Sequence, residues 1–244
     1  DQSRLALRQR RRDPRARSRR LGPSVLHGEG PFLLIAGPGT GKTTVISKRI
    51  AYLIREKGVK PEEILALTFT EKAAQEMEDR VGALLQSSFV DLWVMTFHAF
   101  GERMLQEHGL EIGLPNHFRI FTETDQWIML QENLDRLSLD YFCPKGNPTR
   151  FLQALSKHFS RAKDEDISPE EYLKYAEELQ LNEDSEIEEK KRIRELALSY
   201  KIYEDLLLEN TALDFGDLIV YTMKLFQTRR KILQKYQKQF KHIF

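Results

Sequence analysis

Residues 31–43 read PFLLIAGPGTGKT, a short apolar run that passes directly into a glycine-rich turn ending in Lys-Thr. The apolar part, Pro31 to Ala36, is typical of a parallel strand that is buried on both faces. Beyond the turn, apolar residues recur at helical spacing: Val45, Ile46, Ile50, Leu53 and Ile54. A strand, a glycine-rich turn and a helix in this order form the context in which the pattern indicates a phosphate-binding loop.

The residue types of the turn suit phosphate binding. Glycines let the backbone curl so that consecutive N–H groups point at phosphate oxygens, and a helix beginning near Gly41 adds its positive dipole end. Lys42 would act as a catalytic cation on the β- and γ-phosphates, and the Thr43 hydroxyl would ligate Mg²⁺. The residues predicted to bind the nucleotide are Ala36, Gly37, Pro38, Gly39, Thr40, Gly41, Lys42, Thr43 and Thr44. The strict pattern has Gly in place of Ala36, which is a small departure because the later glycines make the tight part of the loop. The alternative is a glycine-rich turn with an accidental Lys-Thr pair.

The composition is that of an ordinary globular protein, with 41% apolar and 31% charged residues among 244. This length suits one domain with an insertion. Uninterrupted apolar runs are far shorter than the roughly 20 residues that cross a bilayer, which argues against a transmembrane protein. The single cysteine, Cys143, cannot form an internal disulfide and fits a reducing cytoplasm. The six histidines are scattered, without the spacing of a zinc site.

Charge is distributed unevenly along the chain. Residues 1–20 contain nine Arg and two acidic residues, whereas the remainder contains 29 basic and 35 acidic residues. Any binding of nucleic acid by the globular part must therefore depend on local basic patches rather than on its overall charge. The Arg-rich stretch has almost no apolar residue to bury and is expected to be disordered. A solvated tail or a non-native leader is favoured over a nucleic-acid-binding arm, and a transit peptide is disfavoured because Asp13 interrupts the run.

Two further apolar runs predict buried strands. Ile64–Thr70 (ILALTFT) is followed by a helical pattern with one apolar face: Ala73, Ala74, Met77, Val81, Leu84 and Leu85. Leu92–Met95 (LWVM) predicts a third strand, which leads into Thr96–Phe100 (TFHAF). Both runs have the length of buried strands rather than of helices.

Together, AGPGTGKT (36–43), LALTFTEKAAQEM (65–77) and TFHAF (96–100) resemble motif I, motif Ia and the TFH element of superfamily 1 helicases of the UvrD/Rep family. LDFGDLI (213–219) is similar to the LDFxDLL segment that precedes motif II in that family. The resemblance covers about residues 28–244. It implies an α/β fold, in which a RecA-like P-loop domain with a parallel sheet is interrupted by an all-helical insertion subdomain.

The resemblance also implies a domain order. A leader is expected at residues 1–26, the first part of the RecA-like domain at 27–115, the helical insertion at 116–210 and the return to the domain at 211–244. The residues agree with a helical insertion, since 122–210 contain no convincing strand pattern. The predicted helices are Asp125–Leu137, Thr149–Ala162, Ser168–Leu179, with Ser168 and Pro169 as cap and first-turn residues, and Ser185–Leu208.

In the family, motif Ia and the TFH element line a track for single-stranded DNA, at the carboxyl ends of the strands. The residues then implied to contact DNA are Thr68, Phe69, Thr70, Lys72, Thr96, Phe97 and His98. Phe69 or Phe97 would stack on bases, and the alternative is that both are core residues at strand ends. Lys72 would contact phosphate, and the alternative is that it is simply exposed. Arg80 matches a family arginine near the nucleotide, with a plain surface residue as its alternative. Asp214 and Asp217 are interpreted only as helix caps.

Two departures from the family pattern stand out. Thr44 occupies the position where many members have an arginine that contacts the nucleotide. The family's adenine-recognising glutamine motif, upstream of the loop, has no counterpart in the Arg-rich region. Residues 1–26 are therefore expected not to be the native start of the helicase.

The resemblance implies an ATP-dependent DNA helicase or translocase that moves 3′→5′, with ATP and Mg²⁺ as cofactors. Its implied partners are single-stranded DNA and single/double-strand junctions; no membrane partner is expected, and no pattern identifies repair or replication proteins. His242-Ile243-Phe244 resembles the start of the motif II strand, so the chain is expected to bind nucleotide weakly without hydrolysing it. Its unpaired sheet edges predict marginal stability or self-association. The alternatives are a non-helicase P-loop NTPase and a nucleotide- or DNA-binding module without turnover.

Overall fold

A computed structural model of the chain describes residues 22–26, 28, 30–35, 37, 39–86, 92–115, 117–179 and 184–244. Most of the predicted leader lies outside these residues, as do Ala36 and Pro38 of the loop. The described chain forms two compact units. The first comprises its residues up to Thr96 together with Lys235–Phe244, and the second is Phe97–Gln234. These bounds differ from the domain boundaries given above, which stay a prediction.

The helices of the described residues are α1 (Pro23–Leu26), α2 (Lys42–Lys57), α3 (Glu71–Leu85), α4 (Phe97–His108), α5 (Glu123–Glu132), α6 (Leu152–Asp164), α7 (Pro169–Glu178), α8 (Asp184–Glu209), α9 (Phe215–Thr228) and α10 (Arg230–Gln239). Single 3₁₀ turns lie at Pro61–Glu63 and Gly109–Ile112. The strands are β1 (Ile64–Thr68), β2 (Trp93–Thr96), β3 (Arg119–Ile120), β4 (Ala212–Leu213) and β5 (His242–Ile243). The chain is thus a mixed α/β protein, as predicted. Within the described residues, none of the helices has the length and apolar character needed to span a membrane.

The first unit contains a parallel sheet with the strand order β2-β1-β5. The central strand β1 is largely buried, and Leu65 lies opposite Trp93 on one side and Ile243 on the other. The hydrophobic core of the first unit combines apolar side chains from the sheet region with those of α2 and α3: Ile50, Leu53, Ile64, Ala66, Met77, Val81 and Leu92. Each large apolar side chain buried in this way contributes about 1.5–3 kcal/mol. The two apolar runs at residues 64 and 92 therefore form the predicted strands.

The predicted strand over residues 31–36 is wrong for the described residues 31–35, which belong to no strand. Leu33 and Ile35 are 81% and 87% exposed. Both edges of β1 are already occupied, and β5 contributes only two residues to the sheet. A strand of a parallel sheet needs a neighbouring strand that pairs with its backbone and helices that cover its faces. Composition alone does not report whether that neighbour is present.

Helix α3 follows its sequence signal with one exception. Thr70 caps its start by accepting a hydrogen bond from the Ala73 N–H at 3.2 Å. Ala74, Met77 and Val81 are buried as the spacing predicts. Leu84, predicted on the same apolar face, is exposed, whereas Leu85 is partly buried against the core of the first unit.

The second unit is mainly helical, with the short parallel pair β3 and β4. Its core is formed by large side chains of α5, α6 and α8, including Leu130, Phe159, Tyr200 and Tyr203. The predicted Ser168 cap is present, since Ser168 and Glu171 form a reciprocal capping box at the start of α7. Helix α5 ends earlier than predicted, at Glu132, where the Asn133 side chain donates to the Met129 carbonyl at 2.9 Å and competes with continued helix.

A buried ionic cluster lies at the start of α9. Asp214 and Asp217 form the capping box that the sequence indicated. Lys163 of α6, which no sequence pattern indicated, lies between them, with its Nζ 2.8 Å from Asp214, 2.7 Å from Asp217 and 2.6 Å from Glu204. Burial opposes the ammonium ion, but the three carboxylates outweigh it and raise the pKa of Lys163. The cluster therefore ties α6, α8 and α9 together.

Candidate nucleotide-binding loop

The glycine-rich turn is shaped by backbone conformations that favour glycine. Gly39 and Gly41 have φ angles of 73° and 90°, in the left-handed region. Gly41 is the N-cap of α2 and has no side chain to accept a hydrogen bond from the first turn. The first helical bond runs from the Val45 N–H to the Gly41 carbonyl at 3.0 Å. The N–H groups of residues 42–44 therefore have no intrahelical acceptor and form a natural anion site.

Lys42 is held over the loop by a loop carbonyl. Its Nζ donates to the Gly37 carbonyl at 2.8 Å, and the Thr40 hydroxyl donates to the same oxygen at 2.7 Å. Lys42 is exposed. An exposed ammonium ion with three donors can exchange a neutral carbonyl for a charged phosphate oxygen, which accepts a stronger hydrogen bond.

The two threonines after Lys42 have different environments. The Thr43 backbone carbonyl accepts from the Ser47 hydroxyl at 2.9 Å, which fixes the first turn of α2. The Thr44 hydroxyl accepts from Arg80 Nη1 at 2.9 Å. The structure thus brings Arg80 of α3 to the start of α2, beside the loop.

A cavity of about 770 Å³ lies beside the loop and is lined by residues of α2, of the segment before the loop and of β5. Lys42, Arg49, Lys241 and His242 are its ionisable lining residues, and none of the described lining residues is Asp or Glu. Burial and the positive charge of Arg49 lower the pKa of His242. Lys241 pairs with Glu63, so the positive charge of the cavity beside the phosphate loop comes from Lys42 and Arg49.

No sequence motif indicated a role for Arg49. Its guanidinium is buried and donates to the carbonyls of Val25 at 2.8 Å and Gly28 at 3.1 Å. Burial lowers the pKa of Arg49. Its position between Ile46 and Ile50, on the apolar face of the helix, could have indicated this role, because a buried charged residue needs a specific partner.

The loop fits a nucleotide phosphate and Mg²⁺ by the chemistry of its donors. Unsatisfied N–H groups, Lys42 and Arg80 are donors for phosphate, and the half-buried Thr43 offers a hydroxyl oxygen of the kind that Mg²⁺ prefers. In the described part of the chain, the one group of three carboxylates close enough to hold a metal ion is Glu204, Asp214 and Asp217, in the second unit. Lys163 already lies within hydrogen-bond distance of all three carboxylates.

The residues implied to contact DNA differ in exposure. Thr68 and Thr96 lie opposite each other at the carboxyl ends of β1 and β2. Thr96 is buried and its hydroxyl donates to Glu71 at 2.8 Å. Phe69, directly after β1, is 89% exposed. Thr70 is exposed while it caps α3, and Lys72 of the same helix is also exposed.

In the second unit, Phe97 and His98 form the first turn of α4 rather than extending a strand. Phe97 is 44% exposed. The His98 ring is also exposed, and its edge meets the Phe215 ring at a centroid distance of 5.6 Å. An exposed aromatic side chain at such a position is available for stacking, which a core phenylalanine is not.

The uncapped helix start, the left-handed glycines and the Lys-Thr pair define a P-loop nucleotide-binding protein. A family model, the UvrD/REP helicase N-terminal domain, matches residues 20–244. The chain belongs to the UvrD/Rep helicase family, which confirms the resemblance found in its motifs.

Individual relatives agree with this family. The chain is 39% identical over 215 residues to the ATP-dependent DNA helicase PcrA of Bacillus subtilis (strain 168), covering 88% of this chain and 27% of that protein. It is 37% identical over 216 residues to PcrA of Leuconostoc citreum, covering 88% and 26%. It is 35% identical over 215 residues to PcrA of Staphylococcus aureus (strain Mu50 / ATCC 700699), covering 88% and 27%. The chain thus spans about a quarter of the length of the curated relatives that it matches.

Proposed function

We propose that the chain is the ATP-binding part of an ATP-dependent DNA helicase that translocates 3′→5′ on single-stranded DNA and acts at single/double-strand junctions. The observation that carries the proposal is the uncapped first turn of α2 with Lys42 beside it. Support comes from the relatives named ATP-dependent DNA helicases and from family membership, which argues against a non-helicase P-loop NTPase. The single cysteine fits a cytoplasmic protein.

Each loop residue has a specific role in this proposal. The N–H groups of residues 42–44 and the Lys42 ammonium hold the phosphates, and Arg80 adds a second cation. The Thr43 hydroxyl holds Mg²⁺, which neutralises phosphate charge when bound. Left-handed Gly39 and Gly41 keep the backbone close enough for these contacts.

DNA would be held by exposed residues that follow the strands. Phe69 stacks on a base, while Thr70 and Lys72 contact the backbone. Phe97 and His98 supply similar contacts from α4. Buried Thr96 acts by fixing Glu71 at the start of α3, and Thr68 is its register partner.

The 244 residues alone are proposed to bind nucleotide without hydrolysing it. Hydrolysis needs a carboxylate that orients the attacking water. The described lining of the loop cavity offers none. By themselves, these residues are therefore proposed to act as a nucleotide- and DNA-binding module without turnover. Turnover is proposed for the longer helicase.

The test of nucleotide binding is a calorimetric titration with MgATP of the wild type, Lys42→Ala and the control Lys48→Ala. Lys48 is an exposed lysine on the same helix. We expect Lys42→Ala to weaken binding at least roughly tenfold, as for lost charged hydrogen bonds, and Lys48→Ala to bind as the wild type does. Equal affinity of all three proteins would rule out this site.

The test of DNA binding is fluorescence anisotropy with a labelled oligo(dT). Phe69→Ala should weaken binding roughly tenfold, since one base–aromatic stack is worth about 1–3 kcal/mol. The matched control is Tyr175→Ala, an exposed aromatic residue on α7 of the second unit. If both variants bind oligo(dT) as tightly as the wild type, Phe69 has no stacking role.

A further inference from the structure

Arg80 and Thr44 form a hydrogen bond that neither residue's own helix requires. They lie on α3 and α2, and Arg80 Nη1 donates to Thr44 Oγ1 at 2.9 Å. Arg80 also lies near an acidic residue of its own helix, Glu76, one turn earlier, with Nη2 3.8 Å from the carboxylate. The Arg80 side chain is 45% exposed. A long exposed side chain with only a loose ion pair on its own helix would otherwise have many rotamers.

We propose that Thr44 is a positioning residue, which holds the Arg80 guanidinium over the first turn of α2 so that it can bind a nucleotide phosphate. This inference rests on the proposed function of the loop. Thr44 directly follows Lys42 and Thr43, so the bond places the guanidinium beside the N–H groups of that turn. The neutral Thr44 hydroxyl accepts a hydrogen bond from one of the five guanidinium donors and does not neutralise its charge. The guanidinium can therefore still pair with an anion.

The role depends on the hydroxyl oxygen, not on the size of residue 44. Without that acceptor, the attractive group left beside Arg80 is the Glu76 carboxylate on its own helix, which would draw the guanidinium away from α2. Serine keeps the acceptor, whereas valine has nearly the shape of threonine without it. The backbone N–H of residue 44 is the same in all three residues.

The experiment is a calorimetric titration of the full 244-residue chain with MgATPγS. Thr44→Val should weaken binding about fivefold to tenfold, and Thr44→Ser less than about twofold. Arg80→Met should weaken it at least as much as Thr44→Val. The double variant should bind like Arg80→Met alone, because Thr44 acts only through Arg80.

Three results would overturn the positioning role: wild-type affinity in Thr44→Val, no rescue by Thr44→Ser, or additive losses in the double variant. Urea unfolding without nucleotide should give Thr44→Val the wild-type midpoint; a lowered midpoint that accounts for the weaker binding would mean a structural role instead. Lys42→Ala separates this inference from its basis. If Lys42→Ala also binds normally, the proposed function fails, whereas a loss in Lys42→Ala alone refutes only the role of Thr44.

Discussion

Replacing Lys163 by Met should strongly destabilise the second unit. The Lys163 side chain is 2% exposed, and its Nζ lies within 2.8 Å of carboxylate oxygens of Asp214, Asp217 and Glu204. Methionine has similar length but no charge, so three buried carboxylates would lose their shared cation. Removing one partner of a buried ionic group typically costs about 3–5 kcal/mol, and we expect a loss of this size in the free energy of unfolding at pH 8.

The loss should depend on pH. Burial raises the pKa of Glu204 to about 8 from its ordinary value of 4.5, despite Lys163. With this raised pKa, the folded state keeps a proton on Glu204 that the unfolded state releases. The stability contributed by Glu204 is therefore present below pH 4.5 and is lost as the pH rises toward 8. Without Lys163 the neighbouring carboxyl pKa values rise further. Lys163→Met should therefore lose less stability at pH 5 than at pH 8.

The assay is urea unfolding followed by far-UV circular dichroism at pH 5 and pH 8. Lys157→Met is the matched control, since Lys157 is an exposed lysine on the same helix; it should change stability by less than about 0.5 kcal/mol. A loss for Lys163→Met below about 1 kcal/mol at pH 8, or an equal loss at both pH values, would refute the electrostatic reasoning.

Two further substitutions test packing and loop order in the second unit. A Cβ at Gly101 would lie 2.6 Å from the Leu218 carbonyl oxygen, so Gly101→Ala should cost about 1–3 kcal/mol in urea unfolding, whereas Gly146→Ala, with open space around it, should be neutral; equal stability of both variants would contradict the close helix contact. The Glu195 carboxylate accepts from the N–H groups of residues 140–142 at 2.7–3.3 Å, so Glu195→Ala should speed hydrogen exchange there. Unchanged exchange would mean that Glu195 does not order this segment.

Features set by neighbouring residues were predictable from the sequence. The glycine turn and the Lys-Thr pair lie within one short segment, and the cap at Ser168 involves residues within four positions. The capping role of Asp214 and Asp217 was also correct. In each case the interacting atoms belong to residues close in the chain, so spacing carries the information.

Features set by distant residues were not predictable. Lys163 and Asp217 are separated by 54 positions and Thr44 and Arg80 by 36, and no local pattern marks either pair. The strand prediction for the apolar run 31–35 was wrong for a related reason, because a strand forms only where a neighbouring strand pairs with its backbone. Hydropathy shows that this run is apolar enough for a buried strand, but it does not show whether a neighbouring strand is present to pair with it.

We propose that the start of α2 binds nucleotide phosphate through the backbone N–H groups of residues 42–44. Hydrogen-exchange mass spectrometry of the chain with and without MgATP observes those amides themselves, which lack helical acceptors. We expect slower exchange in peptides covering residues 39–45 when MgATP is present, and no change in peptides from α7. At a MgATP concentration near the wild-type Kd, Lys42→Ala should show weaker protection than the wild type. Unchanged exchange at residues 39–45 under saturating MgATP would refute phosphate binding by these N–H groups.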